Sequence, residues 1–219
     1  LTLELGGSSP FIVLPTANIE EAARAATRRS FSNTGQICIA VNRIIVVDEQ
    51  ADEFAAAMSA EIGRLVPGNG AEDGVTFGPA TTAAVLETAE RHANDAVGRG
   101  ATLVRGGHRL KGSGLEDGNF FEPTLLDHVT PGALVLAEET FGPVAAIQRV
   151  PNVSAAVTAA NDSPYGLAAY VYADDLELAW SVAEKVEAGG VGVNVNDVTE
   201  LQAPFGGWKM SGYGRELGK

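Results

Sequence analysis

Runs of apolar residues typical of buried strands recur along the chain, separated by segments whose apolar residues have helical spacing. The first run alternates apolar and polar residues up to Gly6-Gly7, and we expect it to continue a strand that begins before Leu1. The predicted strands cover residues 1–5, 43–47, near 101–105, near 121–127, 144–150, 167–172 and 191–195.

Helices are predicted between these strands. Capping boxes begin two of them, one formed by Asn18 and Glu21 and the other by Asp174 and Glu177. The other predicted helices are one that carries Phe54, Met58, Ile62 and Leu65 and ends at Pro67-Gly68, one over 82–98, and one that carries Val153, Ala156, Val157 and Ala160. Strands that alternate with helices predict an α/β fold with three layers, in which an open, mainly parallel sheet has helices on both faces. The Gly-rich stretch 106–119 is predicted to be a surface loop too short to separate domains, so residues 1–219 form one predicted domain.

Composition narrows the class of protein. Hydrophobic residues make up 45% of the 219 residues, which is enough for a packed core. A net charge of −13 repels phosphate backbones, so we expect no nucleic-acid partner. No apolar run reaches the roughly 18 residues of a membrane span, and the first residues lack a signal-peptide pattern. A single cysteine fits a reducing compartment, and we expect a cytoplasmic location without a membrane partner.

Cys38 is the first candidate for chemistry. A lone cysteine is usually a small core residue, but this one follows the polar, Gly-containing segment 33–36 at the end of a predicted helix. A thiolate in such a loop could attack a carbonyl carbon. The histidines at 92, 108 and 128 show no partner pattern, which gives a Cys–His hydrolase little support and predicts no metal site.

Carboxylates supply the next candidates. Glu4 stands at a strand end before two glycines, where burial would raise its pKa toward the range of a general base; the alternative is an exposed carboxylate. The segment Glu138–Pro143 could bind sugar hydroxyls or be an ordinary acidic turn. The glycines of Pro204–Glu216 permit close backbone approach, but the segment lacks the ending of a phosphate-binding P-loop.

Together these segments resemble the aldehyde dehydrogenase family. Glu4 and Cys38 are 34 positions apart, which is the separation of the base and the nucleophile in that family. The resemblance rests on segments that occur in the family's order: Leu3–Pro10, Asn33–Cys38, Glu138–Pro143, Asn161–Leu167 and Pro204–Glu216. It implies the catalytic-domain type of α/β fold and an oxidoreductase that converts an aldehyde into a carboxylic acid with NAD or NADP.

The resemblance also implies roles for individual residues. Cys38 would form a thiohemiacetal with the aldehyde and become a thioester after hydride transfer, and its backbone N–H would form half of the oxyanion hole. Glu4 would activate the water that hydrolyses the thioester. Glu139 would hold the nicotinamide ribose, with Phe141 beside the nicotinamide. Further positions would line the substrate pocket: Ile37, Ile39, Asn194, Thr199 and Phe205.

Parts of the family pattern are absent from these residues. The resemblance implies that the amino-terminal dinucleotide-binding half, which carries the Asn of the oxyanion hole, lies outside this chain. The strand that joins a neighbouring subunit's sheet in a homodimer or homotetramer is expected after Gly218-Lys219. Ser8 replaces the usual Lys of the first motif. We therefore expect the isolated chain to be inactive.

The substrate is less defined. Residues 4–14 resemble succinate-semialdehyde dehydrogenases, whereas residues 35–46 resemble enzymes that act on aromatic aldehydes. A substrate carboxylate would require an Arg or Lys; none is evident near Cys38 or at 196–202, where Glu200 has the wrong sign, so a neutral aldehyde is predicted. Two other functions stay open, a cofactor-free thioesterase that uses Cys38 and Glu4 and a non-catalytic interaction domain, against which Cys38 argues.

Overall fold

The computed structural model describes residues 1–112, 114–115 and 117–218. In chain order the strands of these residues are β1 (Leu3–Glu4), β2 (Ser9–Val13), β3 (Val41–Val47), β4 (Thr102–Arg105), β5 (Thr124–Asp127), β6 (Val144–Val150), β7 (Tyr165–Gly166), β8 (Ala168–Tyr172), β9 (Gly190–Val193), β10 (Trp208–Lys209) and β11 (Gly212–Tyr213). The helices are α1 (Ile19–Phe31), α2 (Asp48–Ile62), α3 (Ala83–Gly98), α4 (Leu134–Ala137), α5 (Val153–Asn161) and α6 (Leu176–Ala183), and a 3-10 turn covers Ser32–Gly35.

Across the described residues, seven strands form the main sheet in the order β4-β5-β6-β3-β2-β8-β9. Neighbouring strands are parallel except for the antiparallel pair of β4 and β5 at one edge. Two small antiparallel pairs, β1 with β11 and β7 with β10, lie outside this sheet. The mainly parallel sheet predicted from the sequence is confirmed.

Helices cover both faces of the sheet because successive residues of a strand point to opposite faces. On β2, Phe11 and Val13 belong to the cluster that packs against α1 and α2, whereas Ile12 and the residue after the strand, Leu14, belong to the cluster on α5 and α6. A third cluster packs α3 and α4 against β5 and β6. Strands buried on both faces read as continuous apolar runs, as observed here.

Several predicted elements are confirmed, and others have different bounds. The side chain of Asn18 caps α1 by accepting the N–H of Glu21 at 3.1 Å. The strand predicted at 121–127 begins only at Thr124, because Pro123 has no N–H for the ladder. The strand predicted at 191–195 ends at Val193, since Asn194 is left-handed with φ 53°.

Other predictions from the pattern were wrong. Asp175, rather than Asp174, caps α6 by accepting the N–H of Leu178 at 3.0 Å, because the N–H of Asp174 is bound to the carbonyl of Thr16. Helix α2 ends at Ile62, before Leu65. The pattern also missed α4 and the central strand β2.

The loop predicted over 106–119 lies between β4 and β5, although residues 113 and 116 fall outside the described part of the chain. Where helices are described, none is long and apolar enough to cross a membrane.

Candidate active site

The loop that carries Cys38 begins with a tight turn at the end of α1. Asn33, Thr34 and Gly35 are all left-handed, with φ values of 49°, 58° and 74°. At Gly35 a side chain would also clash with the carbonyl of Gly142, so the chain requires glycine there on two counts. This turn brings Cys38 out of the helix before β3 begins.

Side-chain hydrogen bonds fix the loop. The amide nitrogen of Gln36 donates to the carbonyl of Asn33 at 2.9 Å, and its amide oxygen accepts from the backbone and hydroxyl of Thr81 at 2.9 and 2.7 Å. Beyond Cys38, the hydroxyl of Tyr170 donates to the carbonyl of Ile39 at 3.1 Å. Cys38 is therefore held between two anchored segments.

The pair Gly6-Gly7 brings this loop close to a second segment. A side chain on Gly7 would clash with the carbonyl of Cys38, and one on Gly6 would clash with the carboxylate of Glu139. The N–H of Gly7 donates to Oε1 of Glu139 at 3.0 Å. Two adjacent glycines thus allow the cysteine loop and Glu139 to approach the same short stretch of backbone.

Glu4 reaches the site through the pairing of β1 with β11, in which Glu4 lies opposite Gly212. Its Oε1 atom is buried and has no hydrogen-bond partner among the described residues. Burial raises the pKa of Glu4, and the charge of Glu216 raises it further. A carboxylate with a raised pKa accepts a proton more readily than an exposed one, as predicted for a general base.

The thiol of Cys38 is half-buried. Burial is the main cause that raises its pKa, and the charges of Glu4 and Glu139 raise it further. The backbone N–H groups of Cys38 and Ile39 act in the opposite direction. These influences show that both carboxylates lie close enough to act on the sulfur, and that the resting thiol is harder to ionise than an ordinary one.

Glu139 and Phe141 were predicted to hold the nicotinamide end of a dinucleotide. Glu139 is half-buried, and burial raises its pKa while the Gly7 N–H lowers it. Phe141 is 41% exposed and left-handed, with φ 48°. A carboxylate that accepts hydroxyl groups and an open aromatic ring suit a ribose and a flat heterocycle.

The predicted pocket residues fall into two groups. Ile39 and Phe205 are buried members of one apolar cluster, and Ile37 and Cys38 pack against the same cluster. Phe205 is held there by paired backbone bonds to Glu216, at 2.7 and 2.8 Å. These four residues therefore share one apolar cluster, and their role in a substrate pocket stays a prediction.

Thr199 and Asn194 make polar contacts instead. Thr199 is exposed, and its N–H donates to Asp197 at 2.9 Å. The amide of Asn194 binds both backbone groups of Ala173, at 3.0 and 2.8 Å. Asn194 also lines a cavity of about 350 Å³ with Arg24, and Cys38 is not among the residues that line it. A pocket role for Thr199 and Asn194 stays a prediction.

Sequence reasoning missed two charged residues near the site. Glu216, in the last predicted motif, raises the pKa of Glu4. Arg29 is buried on α1; it donates to the carbonyl of Asn196 and pairs with Asp197 at 2.7 Å. Its guanidinium also lies 5.9 Å from the ring centre of Tyr170. The sequence did offer a signal for Arg29, because it lies on the apolar face of α1. A buried charge is normally paired, so an arginine at that position indicates an ion pair.

The structure brings no cluster of three His, Cys, Asp or Glu side chains together as a metal site within the part that it describes.

Comparisons with known proteins identify the family of the chain. The aldehyde dehydrogenase family matches along residues 1–219. Mitochondrial succinate-semialdehyde dehydrogenase of Rattus norvegicus is 44% identical over 223 residues, covering 100% of this chain and 41% of that protein. Glutarate-semialdehyde dehydrogenase of Pseudomonas putida is 42% identical over 219 residues, covering 100% of this chain and 44% of that protein.

Solved structures lead to the same family. Betaine aldehyde dehydrogenase from Staphylococcus aureus in complex with NAD+ is similar with a TM-score of 0.95 and 37% identity, covering 100% of this chain and 43% of that one. Succinate-semialdehyde dehydrogenase from Burkholderia pseudomallei is similar with a TM-score of 0.93 and 42% identity. The match covers 98% of this chain and 44% of that one. The α/β domain described here has the fold of these enzymes.

The chain therefore belongs to the aldehyde dehydrogenase family, as the sequence motifs predicted. It spans 41% to 44% of the length of the curated relatives named above.

Proposed function

We propose that this chain is the catalytic part of an NAD(P)-dependent aldehyde dehydrogenase in which Cys38 is the nucleophile. The observation that carries the proposal is the convergence of three groups on Gly6-Gly7. Glu4 and Glu139 both raise the pKa of the Cys38 thiol by their charge, and Glu139 is bonded to Gly7. A nucleophile, a base and a ribose-binding carboxylate are the parts that the reaction needs.

In the first step, Sγ of Cys38 forms a bond to the carbonyl carbon of the aldehyde. The thiol proton passes to the carboxylate of Glu4, whose raised pKa makes it a stronger base than an ordinary glutamate. The carbonyl oxygen becomes the alkoxide of a thiohemiacetal, and the backbone N–H of Cys38 stabilises its charge. Ile37, Ile39 and Phe205 share the apolar cluster against which Cys38 packs, and they would help to exclude water from the sulfur.

When bound, NAD+ or NADP+ would supply the acceptor for the hydride on the thiohemiacetal carbon. Glu139 would hold the hydroxyl groups of the nicotinamide ribose, and Phe141 would lie beside the ring. Loss of the hydride, with both electrons of its carbon–hydrogen bond, lets the alkoxide oxygen re-form the carbonyl. The carbon–sulfur bond stays intact, so Cys38 now carries a thioester.

Hydrolysis completes the cycle. Glu4 first releases the thiol proton to solvent, and it then takes a proton from a water molecule as the water oxygen bonds to the thioester carbon. The carbon–sulfur bond then breaks, the carboxylic acid leaves, and the electron pair of that bond returns to Cys38 as a thiolate. The buried, unpartnered Oε1 of Glu4 is the acceptor that this step requires.

The remaining parts of the proposal concern the whole protein. We propose that a separate dinucleotide-binding half supplies the adenosine and pyrophosphate contacts and the side chain of the oxyanion hole. A coverage of 41% to 44% of the relatives' length supports this division, and their longer chains leave room for an oligomerisation strand.

For the substrate we propose a neutral aldehyde. Arg29, a cation on the loop side of α1, is already bound to Asn196 and Asp197. Arg24 lines a cavity whose wall does not include Cys38. The test is kcat/KM for benzaldehyde against succinate semialdehyde, and we expect about a tenfold preference for benzaldehyde. Although relatives are named for semialdehydes, a reversed preference would contradict only this part of the proposal.

The full-length gene product tests the activity itself. We expect it to reduce NAD+ or NADP+ in the presence of acetaldehyde, and Cys38→Ala to abolish this without unfolding the protein. His108→Asn changes an exposed side chain and serves as the control, which should keep the activity of the wild type. Ester hydrolysis by Cys38 with no aldehyde-dependent cofactor reduction would instead indicate a thioesterase.

A further inference from the structure

One buried imidazole holds the residues on both sides of Glu139. His92 lies on α3 with no exposed surface. Its Nδ1 atom is 2.9 Å from the hydroxyl of Thr140, and its Nε2 atom is 3.2 Å from Oε2 of Glu138. The sequence showed no partner for this histidine, because both partners are more than 40 positions away.

The partners determine the roles of the two ring nitrogens. The carboxylate of Glu138 can only accept, so Nε2 carries the proton and donates. Nδ1 of the neutral ring then accepts from the hydroxyl of Thr140. Burial lowers the pKa of His92, while Glu138 and Asp95 raise it and Arg91 lowers it, and the balance favours the neutral ring.

The extended backbone links the contacts of His92 to the direction of the Glu139 side chain. Glu138 is extended, with φ −113° and ψ 153°. In an extended segment alternate side chains point to opposite sides. Glu138 and Thr140 point to His92, and Glu139 points the other way, to Gly7, at 3.0 Å. Fixing the two outer residues therefore fixes the direction of the middle one.

We propose that His92 is a positioning residue that sets Glu139 for the nicotinamide ribose through its bond to Thr140. The proposal rests on the proposed function, since Glu139 matters to catalysis only if a dinucleotide binds there. Thr140 is 1% exposed, so its hydroxyl has no solvent to replace a lost partner. Arg91 pairs with Glu138 on the exposed side at 2.7 Å and can hold Glu138 without His92. Of the two hydrogen bonds of His92, the one to Thr140 therefore has no other group that can replace it among the described residues.

The variants separate the two contacts in the full-length gene product. Thr140→Val keeps the shape of the side chain but removes the hydroxyl, whereas Thr140→Ser keeps the hydroxyl. His92→Asn places an amide near Nδ1, and His92→Gln places one near Nε2. His108→Asn is the matched control, since His108 pairs with Glu122 at the same 3.2 Å but is exposed.

We expect Thr140→Val and His92→Gln to raise the dissociation constant of NAD(P)+, measured by fluorescence titration, about tenfold. KM for the cofactor should rise with it, while kcat and KM for the aldehyde change less than about twofold. Thr140→Ser, His92→Asn and His108→Asn should bind the cofactor like the wild type. Equal cofactor affinity in Thr140→Val and Thr140→Ser would overturn the proposal.

A second measurement does not depend on the activity. In a crystal structure of Thr140→Val, we expect Oε1 of Glu139 to move beyond hydrogen-bond distance of the Gly7 N–H, from 3.0 Å here. An unchanged distance would overturn the positioning role. If the wild type binds no NAD(P)+, the proposed function fails, and this distance alone decides whether His92 orients Glu139.

Discussion

At Cys38 the fold raises the pKa of a thiol that the proposed reaction must ionise. Burial and the charges of Glu4 and Glu139 all disfavour the thiolate. A neutral thiol is less prone to alkylation and oxidation, because the thiolate is the reactive form. The arrangement therefore protects the sulfur at rest and makes its activation depend on proton transfer to Glu4 or on the arrival of a positively charged nicotinamide ring.

The pH dependence of alkylation tests this reading. The rate with iodoacetamide should follow a pKa above about 8.5, the usual value for cysteine. Glu4→Gln removes a negative charge near the sulfur, so it should lower that pKa and speed alkylation at neutral pH. Glu177→Gln, on the helix that covers the opposite face of the sheet, should leave the pKa unchanged. Slower alkylation in Glu4→Gln would contradict the electrostatic account.

Among the elements, the turn between α1 and β3 does most to position the nucleophile. Three consecutive left-handed residues store strain that only the surrounding bonds can hold, including those of Gln36 to Asn33 and Thr81. The bonds of Gln36 explain why an amide, rather than an apolar residue, precedes Ile37 in a buried position.

Gly35→Ala should destabilise the protein by about 2 kcal/mol or more. A left-handed alanine costs roughly 1–2 kcal/mol, and its side chain would also clash with the carbonyl of Gly142. Gly70→Ala is the control, because nothing lies within 4 Å of the added carbon there. Denaturant unfolding measures both variants, and equal midpoints would show that the turn is not the constraint described here.

Elements with a strong periodic pattern were predictable, and those set by tertiary contacts were not. Helix α1 carries its own cap at Asn18, and β6 is a continuous apolar run. Strand β2 was missed because Pro10 and its five-residue length weaken the signal. At the site, Cys38 and Glu4 followed from the motifs, but neither the charge of Glu216 on Glu4 nor the partners of His92 can be read from local sequence.

For the molecule as a whole, the proposed location of the dinucleotide-binding half outside this chain predicts weak cofactor binding by the chain alone. The 219-residue chain alone should bind NAD+ and NADP+ with a dissociation constant above about 1 mM. Glu139 and Phe141 would touch only the nicotinamide end, and two contacts would not offset an association cost of at least about 4 kcal/mol. A net charge of −13 also repels the pyrophosphate.

Calorimetric titration measures this affinity, and circular dichroism verifies that the isolated chain is folded. Saturable micromolar binding by the folded chain would show that the whole dinucleotide site lies within these residues. That result would contradict the proposed division into two halves while leaving the chemistry of Cys38 intact.

The central claim is that the acyl group passes through a thioester on Cys38 that Glu4 helps to hydrolyse. The most direct measurement is the intact mass of the full-length Glu4→Gln variant after mixing with an aldehyde and NAD(P)+. The account predicts an acyl adduct on Cys38, a burst of about one reduced cofactor per active site, and turnover slowed about 10²- to 10⁴-fold. Unchanged turnover without an adduct, or an adduct that persists in Cys38→Ala, would contradict it.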